Sequence, residues 1–220
     1  MDLFKTILQE FHNIENSEEK QLLKLLIGDS TTLSSLLARV LSKALKTEAF
    51  GEPKLRAMIV KAIVSDKSLE ETICYDLNRY LEFDYSANHL YEVVFFRKGF
   101  QALLAYRVSN YYYKKGLLVF SEWFRHRSTI VFQVDISPRA TLGRGIVLDH
   151  ATGIVIGETS VVGNNCSIFH NVTLGSTTRH PGRRHPNVGD GVLIGCGASL
   201  IGNVEIESDT VVKASKVMVK

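Results

Sequence analysis

The sequence has no apolar run approaching the roughly 20 residues needed to span a bilayer, so it does not read as a transmembrane protein. Its N-terminus, MDLFKTILQEFHNIENSEEK, is amphipathic and acidic and lacks the uninterrupted apolar stretch of a signal peptide. Neither charge sign prevails. Lys and Arg number 26 against 23 Asp and Glu, an excess too small to leave a footprint for nucleic acid. Cysteine is scarce: Cys74, Cys166 and Cys196 show no CxxC spacing, which fits reduced thiols in a cytoplasm. None of the seven histidines has a ligand spacing such as HExxH, so no metal site is expected. What remains is ordinary for a folded chain. An apolar fraction of 45% with 22% charged residues excludes a disordered or collagen-like chain, and 220 residues make one large domain or two small ones.

Glycine is nearly missing from the first 130 residues, which hold 4 of the 16 glycines and 20 leucines. Residues 131–220 reverse this, with 12 glycines, 22 Val plus Ile and 5 Leu. Leu-rich and Gly-poor predicts helices; Val/Ile-rich with regular glycine predicts short strands and turns. The expected division is an α-helical domain over 1–130 and a strand domain over 131–220, with the seam near Ser128–Val134. In the first part, Leu22, Leu23, Leu25, Leu26 and Ile27 suggest an apolar helix face closed by Gly28. Leu33, Leu36, Leu37, Val40, Leu41 and Leu45 follow the i, i+3, i+4 spacing of a helix face. Ser68 and Glu71 have the spacing of a capping box ahead of Ile73, Leu77 and Leu81. Leu103, Leu104 and Val108 predict a further helix running through Tyr111–Tyr113, whose rings read as a core edge.

The second part repeats. Aliphatic residues recur every six positions at Ile136, Leu142 and Leu148, then at Ile156, Val162, Ile168 and Leu174, and again at Val188, Ile194, Leu200, Ile206 and Val212. Six is a multiple of the strand period and not of the helical one. It predicts coils of three short strands with the aliphatics stacked inside, the hexapeptide pattern of a left-handed parallel β-helix.

Two breaks in the period point to function, because insertions in a solenoid become loops on one face. The step from Leu148 to Ile156 is two residues too long and carries Asp149-His150-Ala151-Thr152-Gly153. A histidine two residues past an inward aliphatic lies on the coil surface, where an imidazole suits general-base work. A carboxylate behind it would fix its tautomer. Asp135, fifteen residues earlier and close to one coil of eighteen away, can occupy an adjacent turn. A structural histidine is the competing reading of the spacing alone. The second break expels the loop 175–187, GSTTRHPGRRHPN, whose arginines and histidines suit an anionic small molecule such as a carboxylate or phosphate. A solvated basic loop is the competing reading there. Cys166 and Cys196 sit at coil positions without a paired histidine and read as small buried hydrophobes.

The run VFQVDISPRATLGRGIVLDHATGIVIGET, the loop ending RRHP and the upstream Lys98-Gly99-Phe100-Gln101-Ala102-Leu103 with Ala105-Tyr106-Arg107 together resemble the serine O-acetyltransferase family. That resemblance implies acetyl transfer from acetyl-CoA, as a substrate and without a metal, to L-serine, giving O-acetyl-L-serine for cysteine biosynthesis. It implies His150 as general base and Asp135 as its dyad partner. Asp84 and Asp149 would hold the substrate ammonium, and Arg184 the carboxylate with His185 beside it. RHP occurs twice, at Arg179–Pro181 and Arg184–Pro186, and the second copy has the family's spacing. Coenzyme A would pass near Ser176, Gly195, Cys196, Gly197, Ala198 and Ala214, in a groove between coils of neighbouring subunits. The implied partners are a second and third copy, as a homotrimer or dimer of trimers, with L-cysteine as feedback inhibitor. Members of the family continue past the position of Lys220 into a tail that docks into O-acetylserine sulfhydrylase, so the C-terminal end reads as truncated. This partner is expected only if that tail exists. The chain departs from the family's Asp-Pro-Ala with Asp84-Tyr85-Ser86-Ala87, and from its Gly-Gly with Gly175-Ser176. Two rival functions share the coil: acetyl transfer to another hydroxyl acceptor, such as homoserine or a sugar, and a non-enzymatic trimerising scaffold.

Overall fold

The structure, a computed structural model, describes residues 2–177 and 182–220. Among them, the chain forms eight helices and then thirteen short strands. The helices are α1 (Leu3–His12), α2 (Ser17–Ile27), α3 (Leu33–Leu45), α4 (Glu52–Val64), α5 (Lys67–Phe83), α6 (Leu90–Phe96), α7 (Lys98–Lys114) and α8 (Leu118–Phe132). Two compact units divide at Arg97/Lys98, whereas the change from helix to strand falls later, between Phe132 and Val134. The unit of residues 98–220 therefore contains two helices as well as the strands.

In the unit of residues 1–97, polar caps set the helix starts. Asn16 accepts from the amides of Glu18 and Glu19, and Thr32 and Ser35 make a reciprocal capping box. For α5 the cap is Asp66, accepting from Leu69 N–H, and not Ser68; the carboxylate two residues earlier takes the free amide first. Leu36, Leu37, Leu41 and Leu45 of α3 pack with Leu55, Ile59 and Ile63 of α4 as a buried core. Gly28 closes α2 with φ +58, but Leu22 and Leu25 are exposed; only Leu23 and Ile27, four apart on one face, are buried.

The strands of the second unit are β1 (Val134–Ile136), β2 (Thr141–Leu142), β3 (Val147–Asp149), β4 (Ile154–Ile156), β5 (Val161–Val162), β6 (Ser167–Phe169), β7 (Thr173–Gly175), β8 (Asn187–Val188), β9 (Leu193–Ile194), β10 (Ser199–Ile201), β11 (Glu205–Ile206), β12 (Val211–Val212) and β13 (Val217–Val219). Each strand pairs in parallel with the strand three along, giving a three-faced parallel β-helix of about four turns. The first face is β1-β4-β7-β10-β13, the second β2-β5-β8-β11 and the third β3-β6-β9-β12. All twelve aliphatics of the hexad are buried inside it.

The two breaks lengthen the coils without disturbing the stack. Val134 pairs with Ile154, a coil of twenty residues, and Val161 with Asn187, one of twenty-six. The other coils keep eighteen, as from Leu193 to Val211. An extra corner loop leaves every inward side chain in phase.

The first coil has no coil before it, and α7 supplies partners to its backbone. Tyr106 donates to the Ala140 carbonyl at 2.7 Å, Arg107 to the carbonyls of Leu142 and Gly143 at 2.9 and 2.5 Å, and Asn110 to that of Pro138 at 2.8 Å. Arg107 is buried, so its loss strands buried carbonyls. Arg107→Ala is expected to cost about 2–5 kcal/mol of stability, at ~1–3 kcal/mol per unsatisfied group. Denaturant titration checks this, and a midpoint equal to that of the wild type would show that the cap is dispensable. Among the described residues no helix is long and apolar enough to cross a membrane.

Candidate active site

The β-helix is a prism whose edges are the corners between faces, and the residues singled out by the sequence fall on two of them. The edge between the third and first faces carries His150. There the two extra residues form a corner with three left-handed conformations, at His150 (φ +54), Ala151 (φ +60) and Gly153 (φ +76). Two of these are not glycine, and such backbone costs on the order of 1–3 kcal/mol each unless its surroundings hold it. Here they do. Ala151 is fully buried, the Gly153 amide donates to Gln133 at 2.8 Å, and the Asn171 amide donates to Thr152 at 2.7 Å. Lys98, the first residue of α7, donates a short hydrogen bond to the Thr152 hydroxyl. The result presents the His150 side chain outward, 75% exposed, with Nε2 3.8 Å from Asp149 Oδ2. Its ring meets that of His170 edge-on, with centroids 5.8 Å apart.

Asp135 stands on β1 of the first face, and its carboxylate is clasped by Arg125 of α8, at 2.6 Å to Nε and 3.2 Å to Nη2. That bond pushes the Arg125 pKa up despite opposing burial. The coil takes twenty residues here, so Val155 and not His150 lies beside Asp135 in the ladder. Asp135 and His150 do not touch. They are linked through the backbone, since Gly153 of the histidine corner bonds to Gln133, two residues before Asp135. Asp135 also lines a cavity of about 250 Å³ with Glu122, Arg125, His126 and Thr129.

The edge between the first and second faces carries the second cluster. Arg184 bonds through Nη2 to Glu158, which also takes Arg139 at 3.1 Å. Burial works upward on the Glu158 carboxyl, but the hydrogen bond and charge of Arg184 outweigh it and hold the pKa below the usual value. The Arg184 amide donates to the Thr159 hydroxyl at 3.1 Å. His185 is buried; its Nδ1 accepts from the Thr159 amide at 3.3 Å and lies 2.8 Å from the Thr159 hydroxyl. An accepting Nδ1 places the ring proton of the neutral imidazole on Nε2. Burial first, and the Arg184 charge second, push the His185 pKa down, so the ring is neutral at pH 7. Gly157 makes room for it: a Cβ there would come within 2.0 Å of the imidazole.

The remaining expected positions divide between the same edges. Gly195, Cys196, Gly197, Ala198 and Ala214 lie along the edge of His150, where the Gly197 amide donates to the His170 carbonyl at 3.0 Å. Cys196 is partly exposed, and Ala214 is open to solvent. Ala198 is buried with its amide and carbonyl both bonded within the coil. Ser176 follows β7 on the other edge. Cys166 is a buried thiol, as its position predicts. Asp84, at the end of α5 in the first unit, accepts from Arg97 Nε at 2.5 Å and from the Ser86 hydroxyl at 2.5 Å. Burial pushes its pKa up, but these bonds win and hold it low. The first RHP copy, Arg179–Pro181, lies outside the described residues. Among those described, no group of three or more His, Cys, Asp or Glu is placed to hold a metal.

Sequence reasoning missed Glu158, Thr159, Arg125 and His170. Glu158 and Thr159 directly follow the inward Ile156-Gly157 at a corner, a signal open to reading. His170 sits twenty residues past His150, one lengthened coil. Arg125 had no signal, because only the packing of α8 against β1 brings it to Asp135.

The family model described as serine acetyltransferase, N-terminal, matches residues 3–105. A serine acetyltransferase of Buchnera aphidicola subsp. Acyrthosiphon pisum is 37% identical over 190 residues, covering 86% of this chain and 69% of the relative. The chain belongs to the serine acetyltransferase family. Solved serine acetyltransferases agree in fold. That of Neisseria gonorrhoeae in complex with serine is 36% identical with a TM-score of 0.92, over 99% of this chain and 90% of that one. That of Brucella abortus strain S19 in complex with coenzyme A is 31% identical with a TM-score of 0.91, over 97% and 86%. A serine acetyltransferase in complex with cysteine is 31% identical with a TM-score of 0.93, over 99% and 92%.

Proposed function

We propose that this chain transfers an acetyl group from acetyl-CoA to the hydroxyl of L-serine. The observation that carries this reading is the strained, clamped corner that holds His150 outward on a coil of this family. His150 takes the proton of the serine hydroxyl as its oxygen attacks the thioester carbonyl. The tetrahedral oxyanion collapses, the C–S bond breaks, and the departing thiolate takes the proton back from His150. Asp135, held by Arg125 at 2.6 Å, is the carboxylate assigned to back His150. Asp149 holds the substrate ammonium; Arg184 and neutral His185 hold the carboxylate. Coenzyme A lies along the edge of Gly195–Ala198 and Ala214. Ser176 meets it from the other edge.

The base and the carboxylate clamp occupy different edges of the prism, separated by the first face. Three strand residues and two corners make that separation on the order of 15 Å. A serine molecule cannot span it, so the site closes only when another copy brings its Arg184 edge against the His150 edge. This supports a trimer in which each site is shared. The three free thiols suit a cytoplasmic setting. If the full-length protein has a C-terminal tail past Lys220, that tail is the segment to test against O-acetylserine sulfhydrylase.

Thiol release is the direct test. Release that needs both acetyl-CoA and L-serine supports the reading; release with homoserine or a sugar but not with serine overturns the acceptor. L-Cysteine is expected to compete with serine, because it offers the same ammonium and carboxylate to Asp149 and Arg184. A pocket built on those ends discriminates weakly between oxygen and sulfur. Initial rates with serine near its KM check this, and millimolar cysteine without effect would overturn it.

A further inference from the structure

We propose that His170 is a positioning residue for this reaction, its ring edge holding the His150 imidazole in the orientation from which it takes the substrate proton. The inference rests on His150 being the general base. The corner at 150–153 fixes where the His150 side chain leaves the backbone, but not its side-chain torsions. An outward side chain that is 75% exposed samples several staggered rotamers unless a neighbour selects one. Asp149 at 3.8 Å is too far for a hydrogen bond. Among the described residues, the ring that meets the His150 imidazole is that of His170, edge-on, with centroids 5.8 Å apart and planes at 81°.

The fold builds this contact in. Asp149 pairs with Phe169 between β3 and β6, so residue 170 stacks on residue 150 one coil along. The backbone around His170 is pinned from both sides. Its carbonyl accepts from Gly197 at 3.0 Å, and the next amide, Asn171, donates to Thr152 at 2.7 Å. The His170 side chain is itself partly buried, so its ring is more confined than the exposed His150 ring and can direct it. Among the described residues His170 Nδ1, which is buried, has no hydrogen-bond partner, and the ring meets His150 through its shape.

Shape is separable from chemistry by substitution. His170→Phe keeps a ring of similar outline, and His170→Ala removes it. An edge-on aromatic contact is worth a factor of roughly 3–10 in the population it selects. His170→Ala is expected to lower kcat about 5-fold, with both KM values within about twofold, and His170→Phe to restore kcat to within about twofold of wild type. If the alanine variant does not fold, His170→Leu, which fills space without a ring, takes its place with the same expected loss. Ringless variants at wild-type kcat, or a phenylalanine variant as slow as they are, would overturn the inference. His150→Ala is assayed alongside. If it is inactive while ringless variants stay at full rate, the positioning role alone fails; if it is active, the general-base reading fails and takes this inference with it.

Discussion

Replacing His150 by alanine is expected to lower acetyl transfer to L-serine by roughly 10²–10⁴-fold, the usual cost of removing a general base, while the protein stays folded. The loss would be confined to chemistry because the side chain is 75% exposed and contributes little packing. The backbone at position 150 is left-handed, with φ +54, and alanine tolerates that conformation slightly less well than histidine. Asparagine tolerates it better. His150→Asn therefore serves as the companion variant: it keeps the corner and removes the base. Both should melt within a few degrees of wild type and keep its oligomeric state, and both should be slow. Activity within about threefold of wild type in either would remove His150 from the mechanism, because no other change at this exposed site could compensate for a missing base.

The repeat was legible because its geometry leaves little freedom. A coil of three flat strands puts one side chain inside every six residues, and each of the twelve aliphatics so predicted is buried. The breaks were legible for the same reason, since a solenoid in phase on both sides of an insertion must expel it. The contacts made by the site residues were not. Asp135 and His150 looked one coil apart at a period of eighteen, but the insertion itself stretches that coil to twenty and moves Val155 beside Asp135. Arg125 reaches Asp135 only through tertiary packing, and the Glu158–Arg184 pair crosses from one coil to the base of the expelled loop. The helices show the same limit on a smaller scale. Leu22 and Leu25 belong to an apolar stretch yet face solvent, because composition does not say which side of a helix meets the core. Periodicity reports burial well; it does not report which polar groups meet.

Arg184→Lys is expected to lower kcat/KM for serine by roughly 10- to 100-fold while leaving the KM for acetyl-CoA nearly unchanged. A guanidinium offers five donors in a planar fork, so it can bond to Glu158 and still present parallel N–H groups to a substrate carboxylate. An ammonium is a point charge on a flexible stem and cannot serve both with the same geometry. The charge-assisted bond at stake is worth about 1.5–3 kcal/mol, which sets the expected range. Glu158, held ionised by Arg184 and Arg139, keeps the side chain at position 184 on this edge, so the lysine would stay near the site and still bind the carboxylate less well. Arg183 is the control. It is adjacent in sequence, carries the same charge, and pairs with Glu205 at 3.3 Å on the exposed side of the loop base. Exposed pairs of this kind contribute about 0–1 kcal/mol, so Arg183→Lys should change kcat/KM for serine by less than about threefold. Measured side by side, the two variants separate a specific clamp from a loop that works by charge alone. Equal losses in both would mean that the loop attracts serine only through its net charge, and His185, placed by the same backbone turn, would lose its assigned role with Arg184.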